Sequence, residues 1–361
     1  FQRPDSAWRQ QFIFDYFASP STGQQKKKAG IRFNLKKAEL RNVTFVKKDA
    51  WLGADMTVKV NSLDMNADKL SLSGNIFDIN SLVIKEPVVA LRNYGRLKPR
   101  DTLTAQDVGD EIRQAVTWNK GKTTFRIGDL QIINGTFSTD KQTDRPVFAH
   151  FDGKHILFTN INASLQQSSF SGDTIFSQLK LTAKERSGLE VKRMDADVKM
   201  TPQGMYFSNM ELATNRSTLR HYFSMSYDDM GDLGYFINRV KLAAVFDSSY
   251  VDSDDIAFFA PKLASWKKKI TLKGKVRGTV SDLVGRDMVV QAGNSTVLNG
   301  DISLTGLPDI NETFIDFKAN DFRTTYGDAV TIVPALRRVT NPNLAAIRYV
   351  NFKGSFTGFV R

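Results

Sequence analysis

The sequence contains no cysteine and only three histidines, and both shortages limit the chemistry available to it. Without cysteine there is no thiolate nucleophile, no thiolate metal ligand and no disulfide. His150, His155 and His221 are too scattered along the sequence to suggest a metal cluster. We expect His221, within an alternating run from Leu219 to Tyr227, to be a buried strand residue. We expect neither a metal nor a cofactor.

Long apolar runs are also missing, because no stretch approaches the roughly 20 residues that a membrane-spanning helix needs. There is no recognisable signal peptide, and the first residue is Phe rather than Met. We expect the chain to begin inside a longer protein.

Catalytic motifs are absent too. The sequence has no GxSxG, no phosphate-binding loop, no GxGxxG after a strand and no HExxH. Acidic pairs occur at Asp228–Asp229 and Asp254–Asp255, but no base or nucleophile accompanies them. We read the second pair as the acidic first turn of a short helix. The chain is therefore predicted not to be an enzyme.

The charge balance is basic, with 50 Lys and Arg against 38 Asp and Glu and a net charge of +12. Such an excess favours anionic partners, namely nucleic acid, phospholipid headgroups or acidic glycans. RNA binding would require exposed aromatic residues beside the cations. Here the aromatic residues mostly share the alternating apolar positions, so we expect no nucleic acid partner.

The sequence repeats itself in two places. FNLKKAELRNVTF at 33–45 matches FRIGDLQIINGTF at 125–137, including the polar residues Asn42 and Asn134. ITLKGKVRGTV from Ile270 matches VNFKGSFTGFV from Val350. We interpret each member of the first pair as two short strands interrupted by a polar pair. Repetition of this kind indicates stacked supersecondary units.

Apolar residues alternate with polar ones along most of the chain, as in half-buried strands. We predict an all-β fold with a few short helices, divided into four parts. These are a first repeat with an N-terminal helix (1–97), a helical linker or cap (98–122), a second repeat (123–251) and a short helix with a third repeat (252–361).

FNLKKAELRNVTF, the run DMTVKVNSLDMNADKLSLSGNIFDINSLVIKEPVVAL, and ITLKGKVRGTVSDL with VNFKGSFTGFV resemble the TamB/AsmA-like family of the Gram-negative envelope. The resemblance implies a long, curled antiparallel β-groove, shaped like a taco or trough. It implies a periplasmic location, in a protein anchored to the inner membrane and reaching the outer membrane. It also implies phospholipid transport between the membranes in support of outer-membrane biogenesis. The implied partners are phospholipid acyl chains and an Omp85-type, TamA-like outer-membrane barrel.

We predict that one apolar face lines the groove. Its members share one phase within each strand: Leu70, Leu72, Ile76, Leu242, Phe246, Ile270, Leu272, Val276, Val350, Phe352 and Phe356. Two alternatives remain open. The chain could be an assembly or chaperone module for outer-membrane β-barrel proteins, whose edges pair with client strands. It could instead be a β-solenoid with a filled interior that binds acidic glycans.

Overall fold

The computed structural model describes residues 1–5, 8–9, 36–71, 75–97, 119, 123–261, 264, 267–309, 312–332 and 334–359. The prediction of an all-β fold with a few short helices is confirmed. The chain forms two compact units, Phe1–Arg186 and Ser187–Arg361. The predicted linker 98–122, most of the N-terminal helix and Leu72 lie outside the described residues. The division into four parts stays a prediction.

Unit 1 contains eight strands in the described residues: β1 (Gln2–Arg3), β2 (Lys37–Asp49), β3 (Ala54–Ser71), β4 (Ile76–Lys85), β5 (Val88–Asn93), β6 (Thr124–Lys141), β7 (His155–Ser171) and β8 (Thr174–Glu185). Most neighbours are antiparallel. However, β1–β2, β4–β6 and β5–β6 are parallel, so this sheet is mixed rather than antiparallel throughout. A parallel pair requires a long crossover connection, which the chain between β5 and β6 supplies.

The first repeat occupies matching strands. β2 and β6 each begin an antiparallel pair, with β3 and β7, and each has a parallel neighbour on its other side. Asn42 and Asn134 both adopt left-handed backbone conformations, with φ of 52° and 54°. The prediction of two short strands per copy was wrong, because the described part of each copy is one strand that continues through its Asn. Asn tolerates this conformation better than most residues.

The core of unit 1 is small. Ala67, Ile79 and Ile127 are buried on three neighbouring strands. Leu70 and Phe125 are among the half-buried side chains that pack against them. Register shifts on either side of Ala67 bring it to the same side as Leu70, so alternation alone does not place these residues together.

Unit 2 contains nine strands in the described residues: β9 (Glu190–Thr201), β10 (Gly204–Ala213), β11 (Thr218–Ser226), β12 (Lys241–Asp252), β13 (Lys269–Thr279), β14 (Asp282–Ala292), β15 (Thr296–Thr305), β16 (Phe314–Thr325) and β17 (Tyr349–Phe359). Each strand pairs antiparallel with the next, from β9 to β17. Short turns of two to four residues join four of the eight consecutive pairs, as is typical of a meander.

Short helices join some strands of unit 2: α1 (Phe236–Arg239), α2 (Ser253–Ile256) and α3 (Tyr326–Ile332). Asp254 and Asp255 lie in the first turn of α2, as predicted, and the Asp252 side chain accepts a hydrogen bond from the Asp254 amide there. The prediction for His221 was wrong. It is exposed, with φ of 102°, where the β11–β12 register shifts. A bulge at this point changes which side chains face inward.

Candidate functional site: an apolar sheet face

A central row of mostly apolar residues crosses all nine strands of unit 2. Each member lies directly opposite the next on the neighbouring strand. Opposite residues project from the same side of a sheet. In strand order the row is Val198, Phe207, Phe223, Ala244, Val276, Gly285, Ile302, Phe317 and Phe356.

Two further rows flank the central one. The first consists of Leu272, Val290, Leu298, Phe322 and Phe352, on β13 to β17. The second consists of Met200, Met205, Met225, Leu242, Gly278, Leu283, Leu304, Ile315 and Gly358, on β9 to β17. We call the surface formed by the three rows the apolar face.

The other side of the same sheet is more polar, although Val245, Val284 and Val289 also project from it. On β13 the alternate positions carry Lys273, Lys275 and Arg277, which are exposed. Ion pairs connect neighbouring strands there, with Lys273 Nζ 3.1 Å from an Asp247 carboxylate oxygen and Arg286 2.7 Å from Asp301. Exposed pairs of this kind contribute little stability. They do show that this side is the hydrated one.

A line of β-bulges and glycines crosses unit 2. Register shifts mark bulges in β10, β12, β14 and β16, and left-handed Asn209, Ser248 and Asp287 lie at the first three. The alternate strands β13, β15 and β17 instead carry Gly274, Gly300 and Gly354, with φ of 136°, 159° and 152°. Bulges and glycines both allow a sheet to bend sharply.

Neighbouring strands approach closely at Gly274 and Gly300. A Cβ on Gly300 would lie 2.1 Å from the Lys318 carbonyl oxygen, so only glycine fits there. Met210, Met288 and Ala319 lie along the same line and are almost completely buried. The Asp287 amide also donates to Asp301 at the bulge and, with Arg286, lowers the pKa of that carboxyl group. We call this line the crease.

Burial is uneven across the apolar face, because Val198, Ala244 and Phe317 of the central row are buried. Phe207, Phe223 and Ile302 keep part of their surface accessible, and Phe356 is 58% exposed. Large apolar side chains in a filled core are normally buried and closely packed. The helices among the described residues follow strand ends, as α2 follows β12 and α3 follows β16. Hence the apolar face combines buried residues with large apolar side chains that keep accessible surface.

The predicted lining residues fall into three groups. The first group projects from the side of the apolar face. It contains five members of the three rows, Leu242, Leu272, Val276, Phe352 and Phe356, and three residues of the same strands beside the rows, Phe246, Ile270 and Val350. Leu70 lies on the core side of the unit 1 sheet. Leu72 lies outside the described residues.

Ile76 does not share a face with Leu70, and this part of the prediction was wrong. Leu70 is opposite Phe77, whereas Ile76 is opposite Ser71. The turn between β3 and β4 sets the register of the hairpin, so the phase of one strand does not carry over to the next. Phe77, rather than Ile76, projects from the same side of the sheet as Leu70. The Phe77 ring centroid lies 5.8 Å from that of Phe125.

Sequence analysis named none of Phe207, Phe223, Ile302 and Phe317 as site residues, although each lies in the central row. Alternation within each strand was the available signal. What the sequence did not supply was the pairing register that aligns these positions across β10, β11, β15 and β16.

Among the described residues, no group of three or more His, Cys, Asp or Glu side chains could hold a metal ion. Within the same residues, no helix has the length and apolar composition needed to cross a membrane. Comparison with models of known protein families gave no match. No curated protein matches the sequence either.

Proposed function

We propose that the apolar face of unit 2 binds the acyl chains of phospholipids, and that the chain is a non-enzymatic segment of a lipid conduit. The observation that carries this proposal is a set of continuous apolar rows across nine paired strands, in which large side chains such as Phe207, Phe223 and Phe356 keep accessible surface. Exposed apolar surface of this extent on a soluble protein marks an interaction site.

A hydrocarbon chain fits this face in physical terms. An acyl chain gains about 0.8 kcal/mol for each CH₂ removed from water. Because the rows consist of similar apolar residues, the binding free energy of the acyl chain varies little from one position along the sheet to the next. The crease also supports the proposal, because its bulges and glycines allow the sheet to bend around a flexible chain.

The resemblance to the TamB/AsmA-like family supports the larger setting. In that setting the conduit crosses the periplasm, carries phospholipid between the inner and outer membranes, and contributes to outer-membrane biogenesis. An Omp85-type barrel would be its outer-membrane partner.

Native mass spectrometry of the purified chain tests the binding step. We expect co-purified phospholipid, and we expect Leu272→Asp to lose most of it, because an ionised group in a lipid-filled face cannot be hydrated. Thr271→Asp is the matched control, since Thr271 is the adjacent residue on the polar side. If both folded variants retain phospholipid equally, the apolar face is not the binding surface.

A further inference from the structure

Three connections lie side by side at one end of the unit 1 sheet. They are the β2–β3 turn at 50–53, the segment after β5 at 94–97 and the β6–β7 connection at 142–154. Backbone hydrogen bonds join them. The Tyr94 amide donates to Gly53 at 2.8 Å, the Leu97 amide to Ala50 at 3.2 Å, and the Gln142 amide to Asn93 at 2.8 Å. We call these connected segments the rim.

The rim exposes large apolar side chains. Leu52 is 48% exposed, Leu97 61%, Val147 50% and Phe148 40%. In the β6–β7 connection, four consecutive exposed residues, Pro146 to Ala149, are all apolar. An exposed apolar run of this length is unfavourable in water, so it indicates a functional surface.

Hydrogen bonds fix the shape of the β6–β7 connection. The buried Asp152 carboxylate accepts from both Arg145 Nη atoms, at 2.7 and 2.8 Å, and from the amides of Phe148 and Lys154. Arg186 Nη1 donates to the Phe148 carbonyl oxygen at 2.9 Å. The Arg145 guanidinium lies 3.8 Å from the centre of the Phe148 ring. Val147 and Phe148 are thus held outward by a preorganised loop.

Cationic residues occur in the rim segments and in the strand ends next to them. Lys48, Arg96, Lys141, Lys154 and Arg186 are exposed on or beside the rim. The exposed carboxylates in the same segments are those of Asp140 and Asp144. Basic side chains beside exposed aromatic and aliphatic ones are typical of surfaces that bind anionic membranes.

We propose that the rim binds the headgroup region of an anionic phospholipid bilayer, with Leu52, Leu97, Val147 and Phe148 inserted at the interface. A protein partner would ordinarily bury about 800 Å² on each side. Four partly exposed side chains on separate segments provide much less, whereas a bilayer accepts separate apolar tips. Half-exposed Trp51 lies beside Leu52, and Trp prefers the membrane interface.

Co-sedimentation of the full 361-residue chain with vesicles of phosphatidylglycerol and phosphatidylethanolamine tests this proposal. We expect the double variant Val147→Ser, Phe148→Ser to partition roughly tenfold more weakly, from the loss of two inserted side chains. We also expect binding to weaken as salt rises. Ile133→Ser is the matched control, because Ile133 is 39% exposed but lies in the middle of β6.

The proposal is overturned if the double variant binds the vesicles as tightly as the unchanged chain, or if Ile133→Ser weakens binding equally. Circular dichroism confirms folding of each variant. The rim lies in unit 1 and the apolar face in unit 2, so the proposal does not depend on the conduit. If the rim double variant loses vesicle binding but still binds single phospholipid molecules, bilayer binding by the rim is separate from acyl-chain binding by the apolar face.

Discussion

The backbone conformation of Asn134 accounts for the asparagine that both copies of the first repeat contain. Its φ of 54° is left-handed, and its amide donates to the Asn162 side chain at 3.0 Å. We predict that Asn134→Val lowers the free energy of unfolding by about 1–2 kcal/mol, because a β-branched residue is strained there. Asn134→Gly should change it by less than about 0.5 kcal/mol. Urea unfolding measures both, and equal stability of the two variants would contradict this explanation.

Asp152 makes a second prediction at the residue scale. Removing its charge in Asp152→Asn breaks the paired hydrogen bonds from Arg145 and should cost roughly 2–3 kcal/mol of unfolding free energy. Arg145 and the two backbone amides hold the pKa of Asp152 far below its usual range. Since the folded state binds the proton less readily than the unfolded state, this contribution is complete above the ordinary Asp pKa of about 3.9.

That contribution is lost as the pH falls from about 4 toward the lowered pKa. The unchanged chain should therefore lose stability in this range more steeply than Asp152→Asn, as followed by thermal unfolding at several pH values. Parallel pH profiles for the two proteins would show that Asp152 does not hold the loop in this way.

At the scale of strands, Gly300 shows what the crease requires. We predict that Gly300→Ala lowers the free energy of unfolding by roughly 2–4 kcal/mol, because the added Cβ collides with the Lys318 carbonyl oxygen. Gly95→Ala is the matched control, since nothing lies within 4 Å of a Cβ added there. If Gly300→Ala is as stable as the control, the backbone at the crease is free to relax.

Alternation predicted the strands and the shared side of residues within one strand, as for Leu242 with Phe246. It could not predict relations across a turn or a bulge, because one extra residue reverses every side chain beyond it. Ile76 and His221 were misplaced for this reason. The parallel pairing of β5 with β6 was also missed, because it depends on where a long connection returns and not on a local pattern.

Over the whole molecule, the described residues form small buried clusters beside extended sheet faces. In unit 1 the fully buried apolar cluster is three residues on neighbouring strands. In unit 2 the central row crosses nine strands. Val198, Ala244 and Phe317 in it are buried, whereas Phe207 and Phe223 are half-buried and Phe356 is exposed. Residues of this kind normally contact something other than water. The proposals assign acyl chains to the apolar face and a bilayer to the rim.

The central claim, acyl chains on the apolar face, is tested most directly by photocrosslinking at adjacent residues of one strand. A benzophenone amino acid placed at Val276 points from the apolar face, and one at Lys275 points from the polar side. With phospholipid carrying a labelled acyl chain, the account predicts strong crosslinking at Val276 and little at Lys275. Equal crosslinking at the two positions, or crosslinking at Lys275 alone, would contradict it.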